Sequence, residues 1–203
     1  MPPRSRTPAA PRATRPARAH RRDAAATRAA ILDAARRHFA RAGYDHVGVR
    51  EIAADAGVTA ALVNRYFGSK EQLFAEVLAS GFDIGPLLPA DRATFGAVLG
   101  RFIAAAPRRT PDDQGPLSLL LRSAASPTAG KLLREHIDTH LVGPLAQWIG
   151  GDDAELRAAL IVSTLAGLGV LRRMVKTSAL AGVDEERLGA LLGELLDAVV
   201  ETP

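Results

Sequence analysis

The chain has 203 residues, with 26 basic and 22 acidic side chains and no cysteine. This length allows one large domain or two small ones, and it is sufficient to bury a core. The lack of cysteine excludes disulfides, thiolate metal sites and a cysteine nucleophile, and it is compatible with a reducing cytosol. The basic excess is local, since residues 1–22 hold seven arginines and no acid, whereas the remainder has 19 basic and 22 acidic residues.

Residues 1–22 also contain five prolines and, after Met1, no large apolar side chain. Such a segment cannot bury enough surface to offset the entropy of ordering, so the sequence predicts a disordered basic tail. Two interpretations stay open: an arm that contacts DNA phosphates or the minor groove, and a solvated tail without a specific role.

No targeting or membrane segment is predicted. The N-terminus lacks the apolar core of a secretory signal. The longest uncharged apolar run, residues 158–171, has 14 residues, fewer than the roughly 18 expected of a membrane span. We therefore expect a soluble, cytoplasmic protein without membrane contact.

The first predicted helix runs over about residues 24–42. Ile31, Ala35 and Phe39 recur on one face of it at helical spacing. Gly43 follows at the position where a left-handed residue ends many helices. The helix thus has one apolar side for packing against the elements that follow.

Residues 49–74 predict two short helices joined by a tight turn, with a further helix behind them. Gly57 permits the turn, and the hydroxyl of Thr59 is placed to cap the second helix. Ser69 and Gln72 form the capping-box pattern that begins the next helix. Two helices around a glycine-containing turn form the unit that places its second helix in the major groove of DNA.

An ordered set of residues runs through residues 28–78: Arg28, Ile31, Leu32, Ala34, Ala35, Phe39, Ala40, Gly43, Tyr44, Val49, Arg50, Glu51, Ile52, Ala53, Ala56, Gly57, Val58, Thr59, Arg65, Tyr66, Phe67, Ser69, Lys70, Glu71, Leu73 and Phe74. In this order and spacing the stretch resembles the TetR (tetracycline-repressor-like) family of transcriptional regulators. The resemblance implies an all-α fold, with an N-terminal three-helix helix-turn-helix DNA-binding domain followed by a helical-bundle ligand-binding and dimerisation domain. Gly48 departs from the family's Thr or Ser, and Asn64 departs from its most frequent Tyr.

Five residues on the second helix of this unit are candidates for the face that reads bases. Asn64 and Arg65 are the strongest candidates, because asparagine pairs with adenine and arginine with guanine in the major groove. Thr59, Ala60 and Ala61 complete a face of small or polar residues, with Thr59 serving first as the N-cap. Phosphate contact or plain solvation is the alternative for Asn64 and Arg65.

Three further residues are candidates for phosphate contacts. Lys70 begins a helix, where free backbone N–H groups and the helix dipole favour an anion. Tyr66 resembles the family's aromatic or His position before Phe67, and it either reaches a phosphate or only packs. Arg50, in the first turn of the preceding helix, either contacts a phosphate or is solvated.

Beyond residue 84 the sequence predicts a helical domain rich in alanine and leucine. We divide the chain into a basic tail (1–22), a DNA-binding domain (23–84) and an effector-binding and dimerisation domain (85–203). Further helices are predicted over residues 92–106, 117–125, 127–149, 153–176 and 184–201. The third of these is expected to be kinked or split at residues 143–144, because Pro144 cannot donate to the helical ladder.

The last two predicted helices carry more apolar surface than one chain of this size can cover. The run of residues 158–171 is apolar on nearly every side, and residues 188–199 carry a broad leucine stripe. The resemblance implies that these helices form a four-helix homodimer interface, where Ala166, Gly167 and Gly169 permit close approach. The alternative is that they form the centre of a monomeric bundle.

The resemblance also implies a small-molecule site between the middle helices. Leucine, alanine and isoleucine dominate there, which favours a small apolar or amphipathic effector. Arg122 and Trp148 are the side chains that we propose for effector contact, with a role in the core as the alternative.

Catalytic and metal chemistry is not predicted. His136 and His140 have the i, i+4 spacing of metal ligands, but the zincin glutamate and a third ligand are missing, so we interpret them as boundary or pocket-lining residues. Residues 167–169, GLG, follow no predicted strand and are not a nucleotide-binding turn. We expect neither enzyme activity, nor a metal site, nor a cofactor.

The function predicted is therefore a ligand-responsive repressor that binds a palindromic operator in double-stranded DNA as a homodimer. Two other classes stay open: a sequence-tolerant DNA-binding protein led by the Arg-rich tail, and a helical-bundle enzyme or metal protein that uses His136 and His140. Activation also stays open, because the sign of regulation depends on where the operator lies relative to a promoter.

Overall fold

The computed structural model of the chain describes residues 15–81, 83–105 and 115–201. All regular structure in these residues is helical, as the sequence predicts. The α-helices are α1 (Arg15–Ala42), α2 (Val49–Asp55), α3 (Ala60–Phe67), α4 (Lys70–Ala79), α5 (Phe95–Ala105), α6 (Pro116–Ser123), α7 (Pro127–Ile137), α8 (Gly143–Ile149), α9 (Ala154–Gly169), α10 (Ser178–Ala181) and α11 (Glu185–Glu201).

Helix α1 begins at Arg15, earlier than the predicted start near residue 24. Alanine and arginine have high helix propensities, and Pro16 lies in the first turn, where proline is tolerated. Residues 15–22 of the predicted disordered tail are therefore helical. Residues 1–14 lie outside the described residues, so their disorder stays a prediction.

Two π-helical segments interrupt the C-terminal helices. The segment Asp138–Val142 joins α7 to α8, directly before Pro144. It provides the predicted break in this helix, because a proline without an N–H group leaves the preceding ladder incomplete. The segment Val170–Val175 continues α9 and ends at Lys176, which adopts a left-handed φ of 58°.

The first core lies among α1–α4 and has an aromatic centre. The ring centroids of Phe39 and Phe74 are 5.1 Å apart, and those of Tyr44 and Phe74 are 5.0 Å apart. Leu119 of α6 and Leu133 of α7 are buried in the same core. This core therefore extends across the domain division predicted at residues 84 and 85, which stays a prediction.

The second core is organised by the packing of α5 against α11. Glycines face each other across this contact: a Cβ atom added at Gly100 would lie 2.3 Å from the carbonyl oxygen of Gly189, and one added at Gly96 would lie 2.3 Å from that of Gly193. The two backbones are therefore in direct contact at these positions. Close approach of this kind depends on residues without a side chain.

Helix α9 and its π-helical continuation remain largely uncovered within one chain. The stretch Ala154–Val175 has a mean hydropathy of 1.6 and is long and apolar enough to span a membrane, yet only 17% of its most apolar window is buried. Leu156 and Leu160 of α9, and Leu191 and Leu195 of α11, are between 48% and 59% exposed. Core helices of soluble proteins have the same length and composition, so these features alone do not indicate a membrane.

Candidate nucleic-acid interface

Helix α2 and the turn after it are set by two glycines. The N–H of Gly48 donates to the Glu51 carboxylate at 2.8 Å. Because Gly48 has no side-chain hydroxyl, it cannot accept the second hydrogen bond of a capping box, which would come from the backbone N–H of Glu51. Gly57 adopts a φ of 68° after α2, which is the left-handed turn predicted there.

Helix α3 is fixed at its start by Thr59 and along its inner face by two apolar residues. The Thr59 Oγ1 accepts a hydrogen bond from the N–H of Leu62 at 3.3 Å, which confirms the predicted N-cap. Val63 and Phe67 are buried in the first core. The opposite face of α3 consequently points to solvent.

Four of the five predicted base-reading residues lie on this outer face. Thr59, Ala61, Asn64 and Arg65 are exposed. Ala60 is half-buried and packs partly against the first core, and its contact with DNA stays a prediction.

The three residues predicted to contact phosphates differ in their exposure and surroundings. Arg50 is exposed in the first turn of α2. Tyr66 is half-buried and packs against the first core, with the guanidinium carbon of Arg65 5.7 Å from its ring centroid. Lys70 is the first residue of α4, where the predicted capping box between Ser69 and Gln72 is confirmed by two hydrogen bonds of 3.2 Å.

Lys70 rests on a residue that the sequence reasoning did not assign to the site. Its Nζ atom lies 4.2 Å from the ring centroid of Tyr44. The Tyr44 hydroxyl donates to the Glu71 carboxylate at 2.8 Å. Burial and this hydrogen bond raise the pKa of Tyr44, whereas the backbone N–H of Glu71 and the Tyr44 hydroxyl lower the pKa of Glu71. The Tyr44 ring therefore supports the Lys70 side chain in the first turn of α4. In the sequence, Tyr44 was visible only as the residue after Gly43 in the pattern that resembles the family.

Helix α1 anchors the helix-turn-helix unit through two arginines. Arg28 forms an ion pair with Glu76 of α4, and its guanidinium carbon lies 4.8 Å from the ring centroid of Phe67. Arg37 donates to the Asp55 carboxylate at the end of α2 at 2.9 Å. This hydrogen bond lowers the pKa of Asp55. Each arginine thereby links α1 to an element that positions α3.

A second candidate site is a cavity of about 290 Å³ lined by residues of α5, α6 and α9. The proposed effector residues Arg122 and Trp148 are not among those that line it. The indole N–H of Trp148 instead donates to the carbonyl oxygen of Pro89 at 2.9 Å, and its ring packs on Phe95 in the second core. Arg122 is exposed on α6. Neither side chain lines this cavity, and their contact with an effector stays a prediction.

His136 and His140 lie next to each other at the end of α7 and in the π-helical segment that follows. The imidazole rings of His136 and His140 stack with their centroids 4.3 Å apart, and His136 is buried. Among the described residues, no group of three potential metal ligands includes them.

Two family models match the chain. One, described as bacterial regulatory proteins of the tetR family, matches residues 31–77. The other, described as the tetracyclin repressor-like C-terminal domain, matches residues 94–200, more than half of the chain. The matches cover the helix-turn-helix unit and most of the helices that line the cavity.

Individual relatives agree with these matches. The HTH-type transcriptional regulator BetI of Agrobacterium fabrum is 47% identical over 53 residues, which span 26% of this chain and 26% of that protein. A TetR-family regulator from Streptomyces coelicolor A3 is similar in structure, with a TM-score of 0.59 and 28% identity over 88% of this chain and 96% of the other. NalD of Pseudomonas aeruginosa shares the fold, with a TM-score of 0.63 and 20% identity over 88% of this chain and 97% of its own.

These relatives are transcriptional regulators rather than enzymes. The geometry agrees with that assignment, since α3 presents an exposed polar face and α1 holds it in place. The chain belongs to the TetR family of bacterial transcriptional regulators.

Proposed function

We propose that the protein is a ligand-responsive repressor that binds a palindromic operator as a homodimer in the cytoplasm. The observation that carries this proposal is the exposed polar face of α3, fixed by the Thr59 cap on one side and the buried Val63 and Phe67 on the other. A helix held in this way enters the major groove as a rigid body. The two half-sites are expected about one helical turn apart, roughly 34–36 Å.

The candidate residues divide between base and phosphate contacts. Asn64 and Arg65 lie on the outer face of α3, where their side chains suit adenine and guanine edges. Lys70, Tyr66 and Arg50 flank that face and suit phosphates. Base contacts give sequence preference, while phosphate contacts give register and a dependence on salt.

A second copy of the chain is the proposed cover for α9 and α11. The half-exposed leucines of these helices form an apolar surface that a monomer would leave in water. A two-fold interface buries the same surface on both subunits and presents two copies of α3 to the two halves of a palindrome.

The proposed ligand response uses the cavity and α6. Leu117 and Leu120 of α6 line the cavity. At the other end of this helix, the hydroxyl oxygen of Ser123 accepts a hydrogen bond of 3.3 Å from the backbone N–H of Tyr44, in the loop between α1 and α2. A small apolar or amphipathic ligand that shifts α6 would consequently shift the DNA-reading helices.

Repression is the proposed sign of regulation. The NalD structure is described as that of the secondary repressor of a multidrug efflux pump. By analogy, the operator is expected to overlap a promoter. Ligand binding would then release the protein from the DNA and allow transcription.

Selection from fragmented genomic DNA tests this proposal. Purified protein is incubated with the fragments at near-physiological salt, and bound fragments are sequenced. Enrichment of one palindrome is the expected result, and Asn64→Ala is expected to relax the preference at one position of each half-site. Arg122→Ala, which replaces an exposed arginine of α6, serves as the control and is expected to leave the enriched sequence unchanged.

The alternative of sequence-tolerant binding depends on the basic tail. Deletion of residues 1–14 removes three of the seven N-terminal arginines while leaving the whole of α1. Retention of the palindrome preference after this deletion supports the specific regulator. Loss of nearly all DNA affinity, with no enriched sequence in the full chain, would favour the tail-driven alternative.

A further inference from the structure

We propose that the cavity between α5, α6 and α9 binds a small amphipathic carboxylate, with Arg172 as the residue that pairs with the acid group. The inference rests on the proposed ligand response and specifies the chemical class of its ligand. Arg172 was not among the residues that the sequence analysis selected.

The cavity offers an apolar compartment of modest size. Its walls include the apolar side chains of Leu99, Ile103, Leu117, Leu120, Leu165 and Leu168. A volume of about 290 Å³ lies at the lower end of the roughly 300–1,000 Å³ typical of ligand pockets. Such a space suits a short hydrocarbon chain rather than a nucleotide-sized group.

Arg172 introduces a buried cation into this apolar wall. Its side chain is only 2% exposed. The Nη1 atom donates to the carbonyl oxygens of Ala104 at 2.9 Å and Ile103 at 3.3 Å. The Nε and Nη2 atoms are buried, and in the part of the chain that the structure describes they have no hydrogen-bond partner.

The two unsatisfied nitrogens form one edge of the guanidinium group. Leaving buried donors without acceptors is costly, and the cost is greater for a charged group. Nε–H and one N–H of Nη2 point in parallel, which is the arrangement that binds a carboxylate through two hydrogen bonds. A ligand carboxylate would therefore satisfy both donors.

Three further charged side chains lie near this edge or line the cavity. The Glu185 carboxylate lies 3.8 Å from Nη2, beyond hydrogen-bond distance, and it is 55% exposed. Arg173 also lines the cavity, as does the exposed Asp83, whose carboxylate accepts a hydrogen bond from the N–H of Gly85. Two arginines against one aspartate give the lining a net charge of +1.

The backbone that carries Arg172 is π-helical rather than α-helical. Arg172 lies in the π-helical segment Val170–Val175, and the other π-helical segment in the described residues contributes Leu141 to the cavity wall. π-helical turns within α-helices occur frequently at functional sites. Both irregular segments therefore border the same space.

Calorimetric titration of the full chain tests the inference. The probes are hexanoate, octanoate and decanoate, each compared with its uncharged primary amide of the same length. At least one carboxylate is expected to bind about tenfold more tightly than its amide, since hydrogen bonds to charged groups contribute more than neutral ones. Arg172→Gln is expected to remove this difference.

A second variant is expected to raise the carboxylate affinity rather than lower it, and it leaves the buried arginine in place. Glu185→Gln removes the acid that competes for Nη2, so carboxylate affinity is expected to rise about two- to fivefold, while amide affinity stays constant. Glu186→Gln, at the neighbouring exposed position of α11, is the matched control and is expected to change neither. This pair decides the matter even if Arg172→Gln fails to fold.

DNA binding is measured on the same samples to separate this inference from the proposed function. Equal binding of carboxylate and amide, or an unchanged carboxylate affinity in Glu185→Gln, overturns the role of Arg172. If the amide then still weakens DNA binding, the ligand-response proposal stands without the acid group. If no probe of either type binds while DNA binding persists, both the carboxylate site and the ligand response through this cavity are rejected.

Discussion

The position of Lys70 depends on the side chains beneath it. The Tyr44 ring lies 4.2 Å below its Nζ atom, and the Tyr44 hydroxyl is in turn held by Glu71. The Lys70 ammonium group is therefore held over this ring in the first turn of α4. We infer that the ring positions the cation and that the hydroxyl contributes to stability rather than to DNA binding.

Lys70→Gln is expected to weaken DNA binding to a similar extent for all sequences. Each lost phosphate contact reduces the slope of log K against log salt by about 0.9, so a dimer should lose about twice this amount. Fluorescence anisotropy over a salt series measures the slope. Tyr44→Phe, the control, keeps the ring but loses the hydrogen bond, so it should cost about 0.5–1.5 kcal/mol of unfolding free energy with an unchanged slope.

Asp55 makes the anchoring of α2 to α1 dependent on pH. The hydrogen bond from Arg37 lowers the pKa of Asp55 in the folded state. Its stabilising effect is therefore complete above the ordinary value of about 3.9 and is lost as the pH falls through the lowered folded-state value. The destabilisation caused by Asp55→Asn should accordingly shrink from about pH 7 to about pH 2.5.

Urea unfolding at several pH values measures this dependence. The exposed Asp23 of α1 supplies a control, Asp23→Asn, which should follow the wild-type profile. An Asp55→Asn variant whose destabilisation stays constant over the whole pH range would contradict the role of the Arg37 hydrogen bond.

At the scale of elements, the contact between α5 and α11 depends on glycine. Gly100→Ala would place its Cβ atom 2.3 Å from the carbonyl oxygen of Gly189, so the helices must separate. We expect a loss of about 1–3 kcal/mol of unfolding free energy. Gly189→Ala is the control from the other side of the contact, because its Cβ atom would lie at an ordinary distance of 3.4 Å.

Thermal and urea unfolding of both variants would be compared with the wild type. Gly189→Ala should stay within about 1 kcal/mol of it, since alanine favours the helix and offsets mild crowding. Equal effects of the two alanines would mean that helix propensity, rather than the contact between the backbones, determines stability here.

Local signals predicted the helix-turn-helix unit well. The caps at Thr59 and Ser69 and the left-handed turns at Gly43 and Gly57 were predicted from single residues and are confirmed. These features depend on hydrogen bonds and backbone angles within a few residues of chain. Sequence reasoning about such features needs no knowledge of the tertiary fold.

Features that depend on distant contacts were not predictable in the same way. Gly100 and Gly189 are far apart in the chain, and no local sequence pattern at either residue predicts their contact. Arg172 likewise looks like an ordinary basic residue until Ala104 is found beside it. Trp148 was assigned to a pocket because of its type, whereas its neighbours Phe95 and Pro89 place it in the core.

At the scale of the whole molecule, the exposed apolar surface of α9 and α11 is the proposed site of homodimer contact. Leu191 and Leu195 of α11 are 55% and 48% exposed, and Leu156 and Leu160 of α9 are similarly uncovered. Their side chains lie on the surface of the protomer, so replacing one of them leaves its core intact. Substitutions here therefore separate association from folding.

Leu195→Lys is expected to dissociate the proposed homodimer without unfolding the protomer. Two copies of an uncompensated charge would be buried at a two-fold interface, and each costs several kcal/mol, so the dimer dissociation constant should rise more than about a hundredfold. Light scattering coupled to gel filtration measures the mass, and circular dichroism checks the fold. Leu121→Lys, at an exposed leucine of α6, should remain dimeric.

A monomeric Leu195→Lys variant should also lose cooperative binding to a full palindrome while keeping weak binding to a half-site, because only the dimer joins two copies of α3. A folded, fully dimeric Leu195→Lys variant would place the subunit interface elsewhere.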